Sequence, residues 1–82
     1  MNNDYTITSM TSMKEILEMA VRRAEKCYTF YKTASDRAPI KSTKEMLLQI
    51  AKDEKDHKKK LLSALEELNA QMEIDEAITG EW

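Results

Sequence analysis

The chain has one glycine, one proline and one cysteine in 82 residues. So few breakers exclude a chain cut into many short elements. The abundance of Leu, Met, Ala, Lys and Glu instead fits long helices. Aromatic residues make up only 6%, against 34% charged residues, so the apolar surface must be a narrow stripe on each helix. The lone Cys27 cannot close an internal disulfide, which fits a reducing compartment. No apolar run approaches the roughly 20 residues of a membrane span. The start, Met1-Asn2-Asn3-Asp4-Tyr5, lacks the basic and apolar regions of a secretory signal, so a cytoplasmic location is expected. A net charge of −2 gives no electrostatic reason to expect nucleic acid or an anionic membrane as partner. Internal repeats and low-complexity stretches are absent.

Two helix starts are written alike. Ser12-Met13-Lys14-Glu15 and Ser42-Thr43-Lys44-Glu45 both fit a capping box, in which Ser and the Glu three residues on satisfy each other's backbone N–H groups. The first helix is expected over about residues 13–35, ending before Pro39, which disfavours helical geometry at Ala38. The second is expected over about residues 43–71. A link of about six residues makes the two antiparallel neighbours. Residues 1–11 read as an N-terminal tail, 12–71 as a helical hairpin, and 72–82 as a tail or short docking helix. Within the last segment Ile74, Ile78 and Trp82 recur at four-residue steps, a pattern that also suits a peptide docking on a protein shell.

The first helix carries Leu17, Ala20, Val21, Ala24, Cys27, Tyr28, Tyr31 and Ala34 on one side. The second carries Leu47, Ile50, Ala51, Leu61, Leu65 and Leu68. These stripes are wider than one partner helix can cover, and a lone hairpin of this size would be marginal. The expected fold is therefore all-α: an antiparallel hairpin that dimerises into a four-helix bundle, with higher even-numbered oligomers open.

Glu54 lies near the centre of the second apolar arc, and His57 falls in the same arc one turn on. The charges around them (Lys52, Asp53, Lys55, Asp56, Lys59 and Lys60) mostly point elsewhere. A carboxylate in an apolar stripe is costly unless paired or coordinated. Glu and His at i and i+3 can reach one ion, and Glu-x-x-His with a further Glu is a pattern of di-metal helical bundles. The first helix offers Glu15, Glu18 and Glu25. With the turn centred between Pro39 and Ile40, Glu25 lies at the depth of Glu54, whereas Glu18 is about 10 Å too far along. A twofold pair of hairpins then presents four carboxylates and two imidazoles, which balance two divalent ions. Such donors suit iron or manganese, and zinc would also bind.

The stretch Ala20-Val21-Arg22-Arg23-Ala24-Glu25-Lys26-Cys27-Tyr28-Thr29-Phe30-Tyr31, followed by Ala51-Lys52-Asp53-Glu54-Lys55-Asp56-His57, resembles the first half of a rubrerythrin-like domain of the ferritin-like superfamily. The resemblance covers about residues 12–70. It implies Glu25, Glu54 and His57 as iron ligands, two irons per dimer, and oxidation of ferrous iron by oxygen or peroxide. Such members usually carry four helices in one chain. A single hairpin is similar in this respect to the encapsulated ferritins, whose metal site forms across a dimer. The cysteine knuckle of full rubrerythrins has no counterpart here.

Plainer readings stand beside these. Glu25 also fits an exposed residue bonded to Arg22 or Lys32. Tyr28 fits either the second shell of a metal site or simple core, Cys27 a small apolar side chain, and Lys58-Lys59-Lys60 a solvated face. The whole hairpin also fits a metal-free dimerisation or adaptor module.

Overall fold

The computed structural model describes the backbone of residues 10–79 and the side-chain surroundings of residues 12–75. Two helices account for it: α1 (Met10–Arg37) and α2 (Lys41–Thr79). The first ten or so residues of the expected tail and residues 80–82 of the expected docking peptide fall wholly or partly outside the described region.

Both helices exceed the expected bounds. The α2 backbone continues to Thr79 rather than stopping near Gln71, because no Gly or Pro intervenes and the segment contains Ala70, Met72, Glu73 and Ala77. Asp75 supports it by accepting a 3.1 Å hydrogen bond from Gln71 Nε2, one turn away. At the other end the Ile40 carbonyl accepts the Lys44 N–H at 2.9 Å. Ile40 therefore takes the cap position, and Ser42 lies inside the first turn rather than capping it. Ser12 likewise lies within α1, which starts at Met10.

The link contracts to residues 38–40. Pro39 bars further helix at Ala38, and the end of α1 is closed by other groups. The Ser35 carbonyl accepts from the Ala38 N–H and from Lys44 Nζ, each at 3.3 Å. Ser35 Oγ donates to the Lys32 carbonyl at 2.7 Å, and Ser35 is fully buried. Lys44 thus brings a cation from the first turn of α2 to the negative end of α1.

The result is one layer of two helices, 64 × 30 × 13 Å, with a radius of gyration of 17.9 Å. A compact chain of this length would have a radius near 12 Å. A single layer has no interior. Among the described residues only Ala24, Ala51 and Ser35 are buried. Small side chains at the seam let the helices approach, while Leu17, Leu47, Leu65, Tyr28 and Tyr31 are half-buried. Met19, Phe30 and Met46 are well exposed, at 56%, 66% and 56%.

Candidate metal centre

The site begins with the buried seam. Ala24 on α1 and Ala51 on α2 mark the directions in which the helices face each other. A residue turns about 100° from its predecessor around a helix. From Ala24, Glu25 therefore turns off the seam toward one side of the layer. From Glu54, His57 turns about 60° toward the opposite side, and Lys58 turns about 40° back toward the side of Glu25.

The contacts follow those angles. Glu25, Ala24, Tyr28 and Thr29 of α1, with Glu54, Lys55 and Lys58 of α2, line an open pocket of about 240 Å³. The depth argument thus brings Glu25 and Glu54 to one pocket. Within it the Glu25 carboxylate pairs with Lys58 Nζ at 2.7 Å. The Lys55 ammonium stands 6.0 Å from the Tyr28 ring centre, the outer reach of a cation–π contact.

Glu54 is half-buried, with 26% of its side chain exposed, and its Oε1 lies 3.7 Å from His57 Nδ1. His57 itself is 59% exposed. In the single chain it does not lie on a buried face, as the apolar arc had led us to expect. The reason is geometric: one partner helix shields only the seam, and His57 is turned past it. It shares its side of α2 with Ile50, Leu61 and Leu68, all within about 40° on the wheel. On α1 that side carries Ile16, Ala20 and Cys27, all half-buried.

Two donors each about 2.1 Å from one ion can be up to ~4.2 Å apart, and the 3.7 Å between Glu54 and His57 falls within that span. The expected threesome does not assemble within one chain. Among the described residues no three His, Cys, Asp or Glu side chains come together as a metal group. Glu25 lines the same pocket as Glu54 and is paired there with Lys58.

Lys58 was read from the sequence as part of a solvated run, yet it is half-buried and walls the pocket. The signal was available: it lies one helical turn beyond Glu54, on nearly the same face. Tyr28 also lines the pocket, half-buried beside both carboxylates. Cys27 is half-buried and has no disulfide partner.

No helix among the described residues is long and apolar enough to cross a membrane. No curated protein and no solved structure matches the chain. The family model Rubrerythrin matches residues 15–81, which is most of the chain and spans the hairpin from the first turns of α1 onward. The chain belongs to the rubrerythrin family, a family of iron-binding carboxylate proteins.

Proposed function

We propose that two copies of the hairpin join through the side that carries His57, and that Glu54 and His57 of both copies bind metal there in the service of iron handling. The observation that carries this reading is the 3.7 Å approach of a half-buried carboxylate to an imidazole, beside an apolar face that the single chain covers only in part. Covering that face with a second copy gives Ile16, Ile50, Leu61 and Leu68 an interior. It also removes Glu54 and His57 from water, where coordination offsets the cost of burying them. Membership of the rubrerythrin family supports iron as the metal, with manganese and zinc within reach of the same donors.

The residues have distinct parts. The Glu54 carboxylate supplies negative charge, His57 supplies a neutral nitrogen donor, and the apolar residues around them exclude solvent. Bound iron would supply electron transfer from the ferrous state to oxygen or peroxide. Sedimentation of the purified protein with metal analysis tests this reading. A dimer that retains metal is expected, and ferrous iron added without oxygen should be oxidised faster than in buffer once air is admitted. A monomer, or a dimer with no metal, would sink it.

A second reading rests on the same half-buried apolar sides of the two helices, which fit a metal-free dimerisation or adaptor module equally well. In that case a chelator leaves the melting temperature unchanged, and Glu54→Ala is neutral or stabilising.

A further inference from the structure

We infer that the two copies lie with their turns at opposite ends, and that the acidic far end of α2 in each copy docks on the basic turn of the other. This rests on the dimer proposed above and fixes its orientation and the surface that holds it.

The hairpin is uneven. Glu25 and Glu54 share one depth, so Met10 lies level with residue 69. From there α2 runs on to Thr79, about 15 Å past the described start of α1 at ~1.5 Å per residue. The side chains agree, since Met13 and Leu17 share an open groove with Ala64, Glu67, Leu68 and Gln71. Beyond that groove α2 still carries apolar residues: Met72 is half-buried and Ile74 is 52% exposed. The turn end has a matching apolar surface, with Ile40 60% exposed and Met46 56% exposed.

Charge is divided along the same axis. Residues 61–82 hold six acidic side chains and no lysine or arginine, whereas residues 30–48 hold four basic and two acidic ones. Glu66, Glu67 and Glu73 are exposed toward one end, Arg37 and Lys41 at the other. Two copies that share Glu54 and His57 can be related by a twofold axis along the bundle or across it. An axis along the bundle sets acid beside acid and base beside base, and both ends repel. An axis across it brings Ile40 of the second copy level with Gln71, because each is about 23 Å from the level midway between Glu54 and His57. Arg37 and Lys41 of the second copy then stand between the levels of Glu67 and Glu73, and Ile40 falls within one turn of Met72 and Ile74. Apolar contact and opposite charge thus coincide at both ends of this arrangement, while like charge opposes the other one.

The test uses the full chain with Zn²⁺ supplied. Arg37→Glu/Lys41→Glu and Glu67→Lys/Glu73→Lys are made as two separate proteins, with helix content checked by circular dichroism. In sedimentation equilibrium each alone should dimerise at least about tenfold more weakly than the parent, and an equimolar mixture should form heterodimers within about threefold of the parent's affinity. Independently of these reversals, spin labels at Ser42→Cys in a Cys27→Ala background should lie about 40 Å apart along the dimer. A separation below about 20 Å, the width of two packed helices, would overturn the inference and leave the dimer intact. So would reversal variants that dimerise as tightly as the parent and gain nothing from mixing, which is the result expected if residues 1–9 of the same chain cover the end of α2. A parent chain that stays monomeric would overturn both.

Discussion

Lys58 Nζ lies 2.7 Å from Glu25 Oε2 and ties α2 to α1 midway along the hairpin. Both side chains are partly in water, 36% and 49% exposed, so the pair contributes little to stability. Exposed ion pairs are worth about 0–1 kcal/mol and are screened by salt. Lys58→Ala and Glu25→Gln should each lower stability by less than about 1 kcal/mol in urea unfolding at fixed protein concentration. The difference from the parent chain should shrink as salt is raised. A loss of several kcal/mol in either variant would show that the pair is far drier than its exposure indicates.

Ala24 is 3% exposed and stands at the seam at the depth of Glu54. It marks the position from which a helix 1 side chain would face Glu54, one residue before Glu25. Ala24→Glu should therefore destabilise the metal-free protein by about 1–3 kcal/mol, through crowding and a buried charge. With Zn²⁺ or Fe²⁺ supplied, the same variant should recover part of that stability. Melting curves with and without metal read both effects, and a variant that metal does not rescue would count against the placement of Ala24.

The turn depends on Ser35, whose hydroxyl closes on the Lys32 carbonyl at 2.7 Å in a fully buried setting. A buried hydrogen bond of this kind contributes about 0.5–1.5 kcal/mol. Ser35→Ala should cost that amount. Lys44→Met should cost less, since Lys44 is exposed and the Ser35 carbonyl keeps the Ala38 N–H. Chemical denaturation of both variants checks the order.

Association should respond to Phe30, which is 66% exposed and flanks the side of α1 proposed to pair. Placing a charge there desolvates it on dimerisation. Phe30→Glu should weaken the dimer at least about tenfold, or about 1.4 kcal/mol, as measured by sedimentation equilibrium. Thr33→Glu, at an exposed position on the back of the same helix, should change the dissociation constant by less than about twofold.

Metal should stabilise the folded dimer by mass action. At a free ion concentration about 100 times the dissociation constant, the gain is about 2.7 kcal/mol for one site. The melting temperature should therefore rise with metal, fall with a chelator, and rise with protein concentration. A melting curve indifferent to all three would favour the metal-free module.

The sequence alone determined the helices, their antiparallel order and their depth. Pro39 stops α1 after Arg37 whatever else surrounds it, because its ring acts on its immediate neighbour. Equal numbers of residues on either side of the turn place Glu25 and Glu54 along one pocket, because the rise per residue is fixed. The Rubrerythrin resemblance was carried by the same local patterns. Helix ends were less legible: Ser42 looks like a cap, but the backbone bond to Ile40 sets the start of α2 one residue before it. What a single sequence could not decide is which way a side chain at the edge of a stripe turns, and toward what. Glu25 and His57 each sit at the margin of an apolar arc, where a few tens of degrees separate the shared face from the outer one. The seam fixed by Ala24 and Ala51 resolves that angle, giving Glu25 to Lys58 and leaving His57 with Glu54 at 3.7 Å. Rotation about the helix axis is set by packing between helices, and only the tertiary structure contains it.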